Sequence, residues 1–204
     1  MYLAASERMC SMEARNFDLI REKAIEYGGS YGLEHSLRII GLVRVLAKGR
    51  NYHEDVIAFS AYVHDFGGYS KFSEAGKDHV IRSMEVLPEY MKLYPFSREE
   101  EDLICETVSA HHSTEMPKSL EAILFRDADA LDFLGYIGIA RNLMRFGKDF
   151  LKALDAIRRH RTTLPGILHE EAAREMAKAR MEEMDAFLSG LDAEHFSFLN
   201  CREL

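Results

Sequence analysis

Tryptophan is absent from this sequence of 204 residues, and proline occurs only four times. Because proline interrupts regular structure, its scarcity favours long helices joined by short connections. No run of about 18 apolar residues is present, so no membrane-spanning helix and no membrane partner are predicted. The segment from Met1 to Arg8 has neither a basic stretch nor a long apolar stretch, which argues against an export signal. We therefore expect a cytoplasmic protein.

Cysteine is also scarce, and basic residues are outnumbered by acidic ones. Cys10, Cys105 and Cys201 are odd in number and far apart, so neither a disulfide framework nor a zinc knuckle is indicated. The net charge of −8 does not supply the basic surface that binding to a phosphate backbone requires, and no nucleic-acid polymer is predicted as a partner. A small anionic ligand stays compatible with this charge because it needs only two or three local cations.

What is present is helical periodicity over most of the chain. Hydrophobic residues make up 47% and charged residues 29%, as in ordinary globular proteins, and the length fits one generous domain. We predict a loose leader over 1–12, a core over 13–146 and C-terminal helices over 147–204 packed on the same domain. The predicted helices cover about 13–27, 33–48, 53–65, 78–90, 98–112, 120–132, 135–141, 148–161 and 170–190. Glycines at 28, 29 and 32 are expected to end the first helix in a turn, and Pro88 and Pro95 to bracket a connection.

The most unusual stretch is His64-Asp65, where an apolar helix ends and Gly67 and Gly68 follow shortly afterwards. Imidazole and carboxylate are both ligands of divalent transition metals. A charged pair at the end of a buried helix is costly unless it is paired or bound to metal. The simpler alternative, a pair that is solvated or caps the helix, remains open.

Other histidines and acids lie at comparable positions along the chain. His35 and His79 fall in predicted first turns, where histidines are usually surface residues. His111 and His112 end a helix, where they are either ligands or cations favoured by the helix dipole. A second unusual stretch places three acids in an apolar helix: Asp127, Asp129 and Asp132. The second and third of these acids share a helix face, and buried carboxylates need a cation, for which Arg141 is a candidate.

Taken in order, a histidine at 35, the dyad at 64–65 and an acid at 129 resemble the pattern of the HD-domain metal-dependent phosphohydrolase superfamily. The resemblance spans about 33–141. The later Leu164-Pro165 and the long C-terminal helix are similar to those of small stand-alone bacterial HD proteins, some of which hydrolyse nucleotides. The resemblance implies an all-α fold, an HD-domain helical bundle with an additional C-terminal helical segment.

The resemblance also implies a metal site and its ligands. The four positions that match the ligands of one metal are His35, His64, Asp65 and Asp129, of which His64 and Asp65 are also expected to be catalytic. This donor set suits a divalent ion such as Mn²⁺, Fe²⁺, Co²⁺, Ni²⁺ or Mg²⁺, and one or two ions are possible. A second ion would be held by His79 and His111, with His112 the weaker member of its pair. The expected substrate contacts are Arg38, Lys71, Lys77 and Arg126. One departure is Ala130, which stands where the family often has arginine.

The function implied is hydrolysis of a small phosphorylated metabolite, most simply a nucleotide, by metal-bound hydroxide. Phosphomonoester and pyrophosphate hydrolysis both fit the pattern, as does a diester. The alternative is a non-catalytic HD module that binds a nucleotide or protein partner around a structural metal. A stripe of methionines on the last predicted helix is read as core or dimer surface, which leaves a homodimer open.

Overall fold

Helices are the regular elements of residues 15–112 and 116–199, the parts of the chain described by this computed structural model, with side chains to residue 194. They are α1 (Asp18–Ala47), α2 (Glu54–Val63), α3 (His79–Met91), α4 (Arg98–Ala110), α5 (Leu120–Asp132), α6 (Gly135–Phe146), α7 (Phe150–Thr163) and α8 (Glu171–Leu199), with 3₁₀ helices at Phe66–Gly68 and Leu164–Ile167. The all-α prediction is confirmed. None of the described helices is both long enough and apolar enough to span a bilayer. The predicted leader, Cys10 and Cys201 lie outside the described residues.

The first two predicted helices join as α1 across a kink, so the predicted interruption after Tyr27 is confirmed, whereas the predicted turn up to Gly32 is wrong because the helix resumes directly after Gly29. Within α1 only Gly29 leaves the helical conformation, with φ 63° and ψ −163°, values that favour glycine. The neighbouring glycines have another role. A Cβ on Gly28 or Gly32 would collide with the side chain of Tyr69, so both glycines make room for that ring against the helix.

The expectation that Pro88 begins a connection is also wrong. Helix α3 runs through Pro88 to Met91. Proline removes one main-chain hydrogen bond from a helix. The side chains around it, Leu87, Tyr90 and Met91, are buried in the core, and this packing holds the helix together past the proline.

Polar residues cap the N-termini of α3, α4 and α5 and fix where these helices begin. Ser97 forms a capping box with Glu100 at the start of α4. Ser119 caps α5 by accepting from the main-chain N–H of Ala122, and Asp78 caps α3. These caps fix where α3, α4 and α5 begin and therefore how their histidines and acids are placed.

Two hydrophobic clusters form the core, and α1 and α2 contribute to both. One cluster joins these helices to α5, α6, α7 and α8, and the other joins them to α3 and α4. Ala177 and Met184 of α8 are fully buried in the first cluster, so this part of the methionine stripe is core. His64 follows Val63 of the second cluster, and its ring packs 5.3 Å from that of Phe125 in the first. Helix α2 therefore ends where the two clusters meet.

Candidate metal centre

Histidines and acids from five helices converge at this junction. His35 comes from the middle of α1, the dyad follows α2, and Asp129 lies in the last turns of α5. His35, His64, His111 and Asp129 are each at most 3% exposed. The side chain of Asp65 is 25% exposed and opens to a cavity. The four residues expected to be ligands of one metal are thus adjacent in space.

The distances within the centre are short enough for shared coordination. Nε2 of His35 lies 3.2 Å from Nε2 of His64, 3.2 Å from Oδ1 of Asp129 and 3.8 Å from Oδ2 of Asp65. Nε2 of His64 lies 3.5 Å from Oδ2 of Asp65. Two overlapping sets of donors have the spacing of metal sites: His35 with His64 and Asp129, and His64 with Asp65 and His111.

The contacts of the Nδ1 atoms indicate the tautomers of the three buried histidines. Nδ1 of His64 lies 3.0 Å from the carbonyl of Ala61, and Nδ1 of His111 lies 2.6 Å from the carbonyl of Val108. Since a carbonyl oxygen only accepts, both Nδ1 atoms carry the proton. Nδ1 of His35 likewise donates to Oδ2 of Asp132 at 2.8 Å. Nε2 of His64 and Nε2 of His111 therefore present lone pairs to the centre, and Nε2 of His35 faces the same centre.

Facing lone pairs need a cation between them. Nε2 of His111 and Oδ1 of Asp129 are buried and have no hydrogen-bond partner among the described residues. The Nε2 atoms of His35 and His64 lie 3.2 Å apart and repel one another when both are unprotonated, so a positive charge, either a proton on His35 or a metal ion, stabilises this contact. The donor set fits a divalent metal on these grounds.

The ionisation states of these side chains also favour a bound cation. Burial lowers the pKa of His111 to about 3 and also lowers that of His64, so both rings are neutral donors at pH 7. Burial opposes the charge on Asp129 and Asp65, but the neighbouring histidines outweigh it and hold both pKa values below the ordinary range. Burial also opposes a charge on His35, yet Asp129 and Asp132 raise its pKa. Ionised carboxylates in this centre attract positive charge.

Asp132 holds His35 in place. Its carboxylate accepts from Nδ1 of His35, from the Arg38 guanidinium at 2.6 and 3.0 Å, and from Arg141 at 2.6 Å. The prediction that Arg141 pairs with one of the α5 acids is confirmed. The predicted division of the α5 acids also holds, because Asp127 points away and accepts from the main-chain N–H groups of residues 169 and 170. A carboxylate behind a histidine ligand fixes its tautomer and increases its basicity.

A second group of donors lies on the open side of the centre. His79, His111 and His112 have the spacing of a metal site. Nε2 of His79 lies 3.8 Å and Nε2 of His111 lies 4.0 Å from Oδ1 of Asp65, while Nε2 of His112 lies 3.4 Å from Oδ2 of Asp129. These acids stand between the two groups of histidines, in the position a bridging ligand would take. The arrangement can accommodate one or two ions.

A cavity of about 790 Å³ opens from this centre. Asp65, His79 and His112 form its floor on the metal side. Aromatic rings and cations form the remaining walls, which include Tyr27, Tyr31, Tyr69, Phe133, Arg141, Arg145, Arg159 and His160.

The cations expected to bind substrate are placed elsewhere. Arg38 is bound to Asp132, Lys71 donates to the hydroxyl of Tyr27, and Lys77 is paired with Glu74 and Glu85. Arg126 is 6% exposed within α5. The described residues lining the cavity include none of these four cations and instead present arginines from α6 and α7. Sequence reasoning missed Arg145, Arg159 and His160, and no spacing pattern in the sequence connects them to the dyad.

Comparisons with known proteins agree with this geometry. The family model described as HD domain matches residues 32–134. Ribonuclease Y of Borrelia garinii subsp. bavariensis is 30% identical over 109 residues, which are 52% of this chain and 20% of that protein. Ribonuclease Y of Nitratiruptor is 27% identical over 146 residues, 70% of this chain and 26% of that protein. The chain thus spans about a fifth to a quarter of the length of these relatives.

Solved structures share the fold. Bacillus subtilis YpgQ in complex with ADP has a TM-score of 0.66 at 23% identity, covering 87% of this chain and 93% of that one. A predicted HD superfamily hydrolase from an uncultured Thermotogales bacterium has a TM-score of 0.61 at 20% identity, covering 86% and 89%. A Lactobacillus plantarum protein has a TM-score of 0.68 at 20% identity, covering 87% and 95%.

Proposed function

Because the chain belongs to the HD domain family, we propose that it is a metal-dependent phosphohydrolase acting on a small phosphorylated metabolite, most simply a nucleotide. The observation that carries this proposal is the convergence of the Nε2 atoms of three buried histidines with two carboxylates beside the cavity. His35, His64, Asp65 and Asp129 would hold the ion. A divalent metal bound there supplies Lewis-acid activation of water and offsets charge on phosphoryl oxygens.

The residues of the chain have separate roles in this proposal. Asp65 is ionised and opens to the cavity, so its carboxylate can accept a hydrogen bond from a water molecule there and orient it. His35 and His64 stay oriented through their Nδ1 hydrogen bonds while the substrate binds. His79 and His112 border the same space and complete a second ion site if the reaction uses two metals.

The shape of the cavity supports a nucleotide. Its volume lies within the range of about 300 to 1,000 Å³ typical of small-molecule sites. Tyr27, Tyr31, Tyr69 and Phe133 supply aromatic surface suited to a base, and the arginines suit phosphate. The fold neighbour YpgQ has been crystallised with ADP.

The test is metal analysis of the purified chain together with a phosphate-release screen in Mn²⁺. The screen covers nucleoside mono-, di- and triphosphates, a dinucleotide and a short RNA, the last because of the ribonuclease Y relatives. We expect release from one of the mononucleotides and none from RNA, given the net charge of −8. Full activity after chelation would contradict the proposal, as would bound metal without hydrolysis of any substrate, which would favour a non-catalytic module.

Variants connect the activity to the centre. We expect His64→Ala and Asp65→Ala each to abolish both metal content and phosphate release, because each removes a donor from a buried site. Asp102→Ala is the matched control, since Asp102 is an exposed acid on α4 that pairs with Arg98. Normal metal content and turnover in the first two variants would refute the ligand assignment.

A further inference from the structure

We propose that His160, Arg145 and Arg159 form a second anion-binding subsite, at the end of the cavity built by α6 and α7, for a phosphate of the ligand that the metal centre does not hold. The role of this subsite in the reaction depends on the proposed function. Its three side chains line the same cavity as Asp65 and His112. They lie in a part of the chain beyond the residues matched by the family model.

The two arginines are available to a ligand. Neither the guanidinium of Arg145 nor that of Arg159 makes an ion pair or hydrogen bond with the described residues. The Arg145 guanidinium lies over the ring of Phe146, and the main-chain carbonyl of Arg159 accepts from the hydroxyl of Thr163. Nearby arginines of α7 are committed elsewhere: Arg158 pairs with Asp192 and Arg161 with Asp185. In a chain of net charge −8, two cations left facing a cavity create a local positive field.

His160 contributes a hydrogen-bond donor, and its contact with Asn142 determines which ring nitrogen carries the proton. Nδ2 of Asn142 lies 2.7 Å from the carbonyl of Gly138 and 3.2 Å from Nδ1 of His160. The carbonyl contact fixes the orientation of the amide, because only its nitrogen can donate. The remaining amide hydrogen is directed at His160, so Nδ1 accepts and the neutral ring carries its proton on Nε2.

His160 lines the cavity, and its Nε2–H group is free to donate to a ligand there. It has no hydrogen-bond partner in the described structure, and it is not one of the buried unpaired atoms. Burial, followed by Arg159 and Arg145, lowers the pKa of His160 to about 4, so the ring is neutral at pH 7. A neutral donor beside two cations suits a phosphate oxygen.

The subsite lies close to the metal centre. The ring of Phe133 lies 5.9 Å from that of His35 and 5.0 Å from that of His160, measured between ring centroids. One aromatic ring therefore separates the two regions. A ligand with two linked phosphates can reach both regions, whereas a monophosphate held by the metal leaves the arginines unoccupied.

The test compares two ligands that differ by one phosphate. Full-length protein loaded with Mn²⁺ is titrated calorimetrically with AMP and with α,β-methylene-ADP, whose bridging carbon resists pyrophosphate cleavage. We expect the wild type to bind the diphosphate analogue at least about tenfold more tightly, in line with hydrogen bonds to a charged group. The preference should decrease as ionic strength rises.

Substitutions test whether the preference for the diphosphate analogue over AMP arises at this subsite. His160→Leu and Arg159→Gln should each reduce it severalfold, and His160→Gln should retain most of it because its amide can replace the Nε2–H donor. Arg158→Gln is the matched control, since it removes a charge from the adjacent position, which does not line the cavity. No preference in the wild type, or an unchanged preference in both His160→Leu and Arg159→Gln, would overturn the subsite.

The tautomer of His160 can be measured directly by NMR. Long-range ¹H–¹⁵N NMR of the histidine rings should show His160 as the neutral Nε2–H form at pH 7. An Nδ1–H form in the wild type would overturn the assignment of the donor. The binding test does not require turnover: if the substrate screen finds no hydrolysis but the preference and its loss are observed, the proposed function fails and the subsite stands.

Discussion

At the scale of single residues, Asp132 joins the metal centre to the rest of the bundle. It is 1% exposed and binds one histidine and two arginines from α1 and α6. A buried carboxylate with three cationic or donor partners is stable because each lone pair is used. The orientation of His35 therefore depends on an acid that does not itself face the centre.

We predict that Asp132→Asn lowers metal affinity by roughly 10- to 100-fold, because the amide is a weaker acceptor for Nδ1 of His35. It should also lower the melting temperature, since Arg141 keeps its charge in a buried position without its partner. Metal titration and thermal unfolding measure the two effects. Asp155→Asn on α7, where the side chain is 78% exposed, serves as control. Wild-type metal affinity in Asp132→Asn would show that this carboxylate does not position His35.

The residues of the centre could be anticipated from sequence more completely than those of the cavity. The dyad and Asp129 are recognisable because charged side chains interrupt apolar helices. Closeness along the chain to the dyad favours Lys71 and Lys77 as substrate contacts, yet neither of them lines the cavity. The cations that line the cavity come from α6 and α7, and their approach depends on tertiary packing that no local pattern records.

At the scale of elements, Gly67 sets the distance between the dyad and α3. A Cβ on Gly67 would meet the main chain of His79 and Ser83, whereas a Cβ on Gly68 would lie 3.7 Å from Cβ of His79. Only the first position lacks room for a side chain. The 3₁₀ turn after Asp65 can therefore pack directly on the first turns of α3.

We predict that Gly67→Ala lowers the free energy of unfolding by about 1–3 kcal/mol, since backbone must shift to relieve the clash. It should also reduce activity, because the shift displaces His79. Gly68→Ala should behave nearly as wild type in both measurements and is the matched control. Equal effects of the two substitutions in denaturant unfolding and in the phosphate-release assay would contradict this account.

The capping box of α4 predicts a pH dependence of stability. A hydrogen bond from Arg15, with further ones from Ser97, lowers the pKa of Glu100 from 4.5 to about 2. The folded-state value is depressed, so the stabilisation is fully present above pH 4.5 and is lost as pH falls through about 2. We expect Glu100→Gln to be less stable than wild type at pH 6, with the difference shrinking between pH 5 and 2. A constant difference across that range, measured by urea unfolding, would contradict the assignment.

The boundaries of elements were predictable where a polar cap precedes a helix, as at Ser97 and Ser119. In α1 the glycines indicate the interruption at Gly29, but the turn expected up to Gly32 does not form. Gly28 and Gly32 instead accommodate Tyr69, which is 37 residues beyond Gly32 and further still from Gly28. The prediction that Pro88 begins a connection failed for a similar reason, because the burial of its neighbours on α3 depends on the assembled core. Local chemistry indicates where helices can begin, and long-range contacts decide whether they end.

At the scale of the whole molecule, five helices meet at one buried set of donors, so binding of an ion there is coupled to folding. We predict that Mn²⁺ raises the melting temperature and that EDTA reverses the change. At a free concentration about 100 times the dissociation constant, the stabilisation is about 2.7 kcal/mol, or roughly 5 to 11 °C for a chain of this size. His64→Ala should show no metal-dependent shift in calorimetry. An equal shift in that variant would place the ion elsewhere.

The two ends of the cavity come from different stretches of the chain. The donors of the metal centre lie within residues 32–134, while Arg145, Arg159 and His160 follow that range. The metal-binding end and the proposed phosphate-binding end of the cavity are therefore separable in this architecture. Redesign of the cavity-facing positions on α6 and α7 offers a way to change ligand range while the donors of the candidate metal centre are kept intact, which makes the bundle a natural scaffold for directed changes of selectivity.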